Sequence, residues 1–187
     1  MPDTESAAPG ALLLCLDLQP AFIDALPDGD ALLRRCTLAI SAAEGLGLPV
    51  LFTEQMPQKL GGTTPALTQL SPSAPVCAKA AFSALADDGL REQILAGGTE
   101  HLILCGLETP ICVYQTAIDA LNENLQVTVL TDAVGARRPA DADHALASLA
   151  RLGVHILPVE TVFYALLHDA RHPFFKTFTR LVKKAHG

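Results

Sequence analysis

His101-Leu102-Ile103-Leu104-Cys105-Gly106, followed by Leu107-Glu108-Thr109-Pro110-Ile111-Cys112, has the pattern of a strand that hands over to a helix. The first six residues are almost continuously apolar, which suits a strand covered on both faces. Thr109 is placed to cap a helix and Pro110 to occupy its first position, so Cys112 falls in the first helical turn. A helix then runs over Pro110 to Asn124. Working outward, five further short runs bounded by turn residues have the same character: Ala11 to Asp17, Pro49 to Gln55, Pro75 to Lys79, Leu125 to Asp132 and Gly153 to Val159. Helical spacing fills most of the gaps. Asp30 to Leu46 sets Leu33, Ala39, Ile40 and Ala43 on one face with Arg34, Arg35 and Glu44 outward. Leu90 to Ala96 closes at Gly97-Gly98, and Asp141 to Leu152 closes at Gly153. Strands alternating with helices predict an α/β fold with a mainly parallel sheet. The C-terminal segment Pro173 to Lys184 puts Phe174, Phe178, Leu181 and Val182 on one helix face, to dock on the body or on a second subunit.

The chain has 187 residues, half of them hydrophobic, and a formal charge of -7. At this length a domain buries roughly 70% of its unfolded surface, so the sequence predicts a single domain over 11–187 behind a flexible tail at 1–10. With 13 Lys and Arg against 20 Asp and Glu, no basic surface is at hand to neutralise a phosphate backbone, and nucleic acid is not expected as a partner. No segment reaches about 20 apolar residues, so no membrane span is expected. The first ten residues carry two acids and no base, unlike a secretory leader. Five cysteines without a CxxC pair fit free thiols in a cytoplasmic protein and neither a disulfide framework nor a zinc site.

Ligands of such sheets sit beyond the carboxyl ends of the strands, where the strand order reverses. Asp17 ends the first run, Lys79 the third, and Cys112 follows the fourth. In a sheet of order 3-2-1-4-5-6, Asp17 and Cys112 face each other across that crevice and Lys79 approaches from the same edge. A helix start favours a thiolate, and backbone N–H groups of Glu108 and Cys112 are candidates for an oxyanion hole. A Thr109 hydroxyl that caps the helix would compete for the Cys112 N–H. Phe22, Gln55, Phe82 and Glu108 are the expected lining of a small pocket for a small-molecule substrate. Two segments, Met56 to Ser73 and Ala80 to Gly89, break the alternation and are expected to be site-forming loops. His168 and His172, four apart, are expected to be structural, and Asp132 is expected to cap a helix or bond to a loop. Gly61-Gly62 lacks the Gly-Lys-Ser/Thr of a phosphate loop.

These motifs resemble the isochorismatase-like cysteine hydrolases over nearly the whole chain. Asp17-Leu18-Gln19 with Phe22 is similar to the acid motif of that family, Lys79 with Phe82-Ser83 to its lysine motif, and Cys105 through Val113 to its nucleophile motif. Thr53-Glu54-Gln55, Thr131-Asp132-Ala133-Val134 and His172 through Lys176 are similar to the isochorismatase-domain-containing subgroup. The resemblance implies a Rossmann-like three-layer α/β/α fold with a six-stranded sheet of order 3-2-1-4-5-6. It also implies a triad of Asp17, Lys79 and Cys112, an acyl intermediate resolved by water, and a cis peptide between Leu107 and Glu108. Homo-oligomers are common on the fold. Relatives that hydrolyse nicotinamide carry Asp and His metal ligands after the second strand, whereas Glu54, Gln55 and Met56 stand here. No metal and no cofactor are therefore expected. The expected activity is hydrolysis of a C–N bond in a small amide, with vinyl ether hydrolysis or an idle interaction protein as alternatives.

Overall fold

The computed structural model describes residues 8–186, so residues 1–7 of the expected tail lie outside the described residues. Along the chain run β1 (Ala11–Leu16), α1 (Pro20–Ile23), α2 (Gly29–Gly45), β2 (Val50–Gln55), α3 (Pro57–Leu60), α4 (Pro65–Thr68), β3 (Val76–Lys79) and α5 (Asp88–Ala96). They are followed by β4 (His101–Leu107), α6 (Tyr114–Asn122), β5 (Gln126–Gly135), α7 (Pro139–Arg151), β6 (His155–Leu157), α8 (Val159–Leu167) and α9 (Phe175–Ala185). The strands form one sheet of order β3-β2-β1-β4-β5-β6, and every pairing is parallel. The expected three-layer Rossmann-like fold is the observed one.

The continuous apolar runs have a simple structural reason. Along β1, Leu13 and Cys15 join a core with Ile103 and Cys105 of β4, Leu38, Ala39, Ile40, Ala42 and Ala43 of α2, Phe163 of α8 and Phe178 of α9. Leu12, Leu14 and Leu16 join the opposite core with Leu102, Leu104, Ile94 of α5, Ala117 and Ala120 of α6 and Leu149 of α7. Alternate residues point to opposite faces, and both faces are covered.

β1 and β4 lie side by side, with Leu16 opposite Gly106. Gly106 has φ +111, and a β-carbon there would run into the carbonyl oxygen of Leu16. Only glycine permits this approach, and it brings the chain leaving β1 at Asp17 against the chain leaving β4 at Glu108.

Several elements differ from the sequence expectation. The run Gly153 to Val159 gives a strand of only three residues, because Pro158 cannot donate to a ladder and instead precedes α8. That helix is absent from the expected elements, although Val159, Val162, Phe163 and Leu167 recur at helical spacing. Asp132 Oδ1 accepts from the Val159 N–H at 2.8 Å, so this side chain does cap a helix. The two loop segments contain short helical turns: α3 and α4, each started by a proline, and a 3-10 turn over Ala84–Ala86 whose start is capped by Ser83. The C-terminal helix docks on the body: Phe178 is fully buried and meets Tyr164 edge to face at 4.9 Å between ring centroids. Phe174 packs directly over Gly45, where any side chain would collide with its ring. His168 follows the end of α8 with φ +63, and His172 Nδ1 accepts from the Phe174 N–H, so the two histidines share no helix face.

Candidate active site

β1 ends by turning Asp17 into a left-handed conformation, φ +51. The Asp17 N–H donates to the Thr53 carbonyl at 3.1 Å, and the Thr53 hydroxyl donates back to Asp17 Oδ1 at 2.7 Å. The other carboxylate oxygen, Oδ2, accepts from Lys79 Nζ at 2.7 Å. Lys79 closes the edge strand β3, and its ammonium is surrounded by acceptors: Gln55 Oε1 at 2.6 Å, the Phe82 carbonyl at 3.1 Å and the Ala81 carbonyl at 3.3 Å. Cys112 Sγ lies 3.6 Å from the same nitrogen. The Asp17 and Lys79 side chains have no exposed area, and Cys112 is 5% exposed. Two charges this far from water persist only when paired and hydrogen-bonded, and here each has several partners.

Gln55 and Gln19 hold the surroundings. The Gln55 amide nitrogen donates to the Ala80 carbonyl at 2.8 Å, which keeps its oxygen turned to Lys79. Gln19 accepts from the Gln55 backbone N–H at 2.7 Å and donates to the Gly61 carbonyl at 2.6 Å, tying the loop after β2 to the end of that strand.

Cys112 does not sit in an ordinary first helical turn. Residues Thr109–Val113 form a π-helical turn that leads into α6, with the Val113 N–H donating to the Glu108 carbonyl at 3.2 Å. Thr109 is not the cap either. Its hydroxyl donates to the Gly135 carbonyl at 3.0 Å, so it does not compete for the Cys112 N–H, and the residue at the cap position is Glu108. The Leu107–Glu108 peptide is cis. The expectation of a stabilised thiolate is also corrected: burial, then the charge of Asp17, pushes the Cys112 thiol up to about 12, and Lys79 opposes this only in part.

Of the expected pocket residues, Gln55 contacts Lys79 directly. Glu108 is 8% exposed and accepts from Arg137 Nε at 2.7 Å. Phe22 packs against the apolar core on the α2 side. Phe82 is 54% exposed, and it is its carbonyl that touches Lys79. Thr53 and Arg137 were not among the expected site residues. For Thr53 the signal available was the Thr53-Glu54-Gln55 motif, and for Arg137 a pair of adjacent arginines in an acidic chain. A cavity of about 510 Å³ lies beside the nucleophile segment, lined by Glu108, Pro110 and Ile111 together with Ala136, Arg137, Arg138 and Asp141. Among the described residues no helix is long and apolar enough to cross a membrane.

Residues 11–161 match a family model described as the isochorismatase domain. Isochorismatase domain-containing protein 2 of Danio rerio is 31% identical over 175 residues, which span 92% of this chain and 87% of that protein. Among solved structures, the MAR1 ribonuclease from Caenorhabditis elegans superposes with a TM-score of 0.87 at 28% identity, covering 95% of this chain and 92% of that one. The YcaC protein of Escherichia coli, described as an octameric hydrolase of unknown specificity, has the same fold, with a TM-score of 0.84 at 21% identity over 96% of this chain and 95% of that one.

Proposed function

The chain belongs to the isochorismatase family, and on that premise we propose that it is a metal-independent cysteine hydrolase. It cleaves a C–N bond of a small amide through an acyl intermediate on Cys112. The observation that carries this reading is the position of Lys79 Nζ, 2.7 Å from Asp17 Oδ2 and 3.6 Å from Cys112 Sγ, with all three residues buried.

With the thiol pushed up to about 12, Cys112 is protonated at neutral pH, so proton removal belongs to the attack itself. Asp17 takes the thiol proton as sulfur bonds to the acyl carbon. Lys79 balances the charge, and the backbone N–H groups of Glu108 and Cys112 receive the oxyanion. Collapse breaks the C–N bond, and Asp17 returns its proton to the departing amine. Asp17 then takes a proton from water while the hydroxide adds to the thioester. When the C–S bond breaks, that proton returns to the Cys112 sulfur.

Cys112→Ala should lower amide turnover by about a thousandfold or more with an unchanged circular dichroism spectrum, and a Cys112→Ala enzyme as active as wild type would overturn the covalent mechanism. Asp17→Asn separates this chemistry from vinyl ether hydrolysis, in which protonation by the acid matters and the thiol does not. An enzyme needing Asp17 but not Cys112 is of the second kind. We also assign the protein to the cytoplasm, in keeping with its free cysteines, and to a homo-oligomer, supported by the octamer of its E. coli neighbour. Light scattering in solution tests the latter.

A further inference from the structure

We infer that Glu54 is a positioning residue: its carboxylate clamps the loop after β2 and, through Gln19 and Gln55, holds Lys79 in place against Asp17 and Cys112. This rests on the proposed cysteine hydrolysis and adds a residue to it that touches none of the three reacting side chains.

Alternate side chains of a strand point to opposite faces. Along β2, Thr53 and Gln55 turn to the face where they bond Asp17 at 2.7 Å and Lys79 at 2.6 Å, and Glu54 between them turns to the other. There Glu54 Oε1 accepts from the Thr63 N–H at 2.6 Å. Among the described residues no cation pairs with this carboxylate, so its bond to the loop is what it offers. The Thr63 hydroxyl is buried without a partner, and the grip on Thr63 therefore passes through its backbone. Gly62 has the same explanation: a β-carbon there would lie 3.1 Å from Glu54 Oε1, and glycine lets the carboxylate come in. The Gly61-Gly62 pair thus serves a carboxylate of the chain itself.

The clamped loop is bonded onward to the residues that follow Asp17. The Thr64 N–H donates to the Leu18 carbonyl at 2.9 Å, and the Gly61 carbonyl accepts from Gln19 Nε2 at 2.6 Å. Gln19 Oε1 accepts from the Gln55 N–H at 2.7 Å, and Gln55 Oε1 accepts from Lys79 Nζ at 2.6 Å. A continuous hydrogen-bonded path therefore leads from Glu54 to the ammonium. Gln19, Gln55, Thr63 and Lys79 are all buried, so water does not readily replace a lost member. The position of Lys79 sets its distance to both Asp17 and Cys112, and small misplacements of reacting groups are costly in rate.

The test compares Glu54→Gln, Glu54→Leu, Gly62→Ala, Gln19→Met and the double variant Glu54→Leu with Gln19→Met. For each, kcat and KM are measured on whichever of acetamide, butyramide and benzamide the wild type hydrolyses fastest, and iodoacetamide labelling of Cys112 at pH 8 is followed by peptide mass. Glu54→Gln keeps an acceptor for the Thr63 N–H and should stay within about threefold of wild-type kcat, whereas Glu54→Leu should lower kcat about thirtyfold with KM within about twofold. Gly62→Ala, which crowds the same bond from the loop side, should fall between them. Because Glu54 acts through Gln19, the double variant should match Gln19→Met alone within about twofold. Equal losses in Glu54→Gln and Glu54→Leu, a loss confined to KM, or losses that multiply in the double variant overturn the inference. If Glu54→Leu does not fold, wild-type kcat in Gly62→Ala overturns it.

The labelling separates this inference from the reading beneath it. Lys79 opposes the rise of the Cys112 thiol, so a displaced ammonium should slow labelling severalfold in Glu54→Leu and leave Glu54→Gln close to wild type. Labelling as fast in Glu54→Leu as in wild type overturns the clamp. Full turnover in Cys112→Ala, or a wild type that hydrolyses none of the amides, removes the amidase reading and leaves the clamp to be decided by these rates.

Discussion

β1 and β4 each carry a buried cysteine in the middle of the sheet, and two residues further along they open into the candidate site. Cys15 and Cys105 face each other at 3.5 Å between sulfurs, and Cys36 of α2 donates to the Ala133 carbonyl at 3.5 Å. All three are fully buried; burial holds Cys15 well above the usual thiol range, and a hydrogen bond with Cys105, then burial, does the same for Cys36. Cys112 is nearly as buried and its thiol is also raised, so burial does not tell the two regions apart. What differs is the set of charges brought to the strand ends: Lys79 from β3 and Asp17 from β1 stand against Cys112, while the inner thiols meet one another and backbone carbonyl groups. A cysteine on this fold becomes a candidate nucleophile through a base and a cation at hydrogen-bonding distance.

The contrast is broken most severely by removing the cation. Lys79→Met leaves the Asp17 carboxylate buried without its partner, and breaking such a pair costs about 3–5 kcal/mol. Urea unfolding should show that loss, and Lys79→Met combined with Asp17→Asn should recover part of it. A single variant as stable as wild type would mean that Asp17 is not held as a buried charge. Thr53→Val keeps the shape of the side chain and removes the hydroxyl that bonds Asp17 Oδ1. Its expected effect is a fall in kcat of about tenfold at unchanged KM, equivalent to about 1.4 kcal/mol. A change confined to KM would place Thr53 in substrate binding instead.

Asp17→Asn sharpens the comparison through pH. The charge of Asp17 is one of the causes that lift the Cys112 thiol, so its removal should bring the thiol down from about 12. Iodoacetamide labelling of Cys112 at pH 8 should then rise severalfold even as turnover disappears, with Cys15, Cys36 and Cys105 unlabelled in both proteins. Slower labelling in the variant would show that Asp17 assists ionisation more than it opposes it. Stability follows the same sign. A folded thiol above its ordinary 9.0 contributes fully below pH 9, and that contribution is lost as pH rises toward 12.

The strands were legible because a strand covered on both faces must be apolar throughout, as β1 and β4 are, whereas their order followed from the family resemblance. Asp17, Lys79 and Cys112 were visible as polar residues at the ends of such runs. α8 was missed because the apolar run Gly153 to Val159 carries its first residue into the expected strand, although Val159, Val162, Phe163 and Leu167 are spaced as one helix face. The π-helical turn was hidden because Thr109-Pro110 matches an ordinary helix start, and nothing local reveals that the Gly135 carbonyl, 26 residues away, takes the hydroxyl. Thr53 and Arg137 act on residues 36 and 29 positions distant. Those partnerships arise from strand register and loop course, which single-chain spacing does not encode.

The smallest expected effect belongs to the inner thiols, and it decides whether the comparison is sound. Cys36→Ala removes one weak sulfur hydrogen bond to Ala133 and one buried sulfur from a packed core. Such a change costs about 1 kcal/mol, visible as a fall of a few degrees in Tm with turnover within twofold of wild type. The reason to expect so little lies in where Cys36 sits: α2 packs against the middle of the sheet, and the cluster that holds Lys79 is built from strand ends and the loops after them. If Cys36→Ala instead lowered kcat by an order of magnitude while Tm barely moved, the inner thiols would be coupled to the strand ends, and the separation between a packing region and a reacting region would fail.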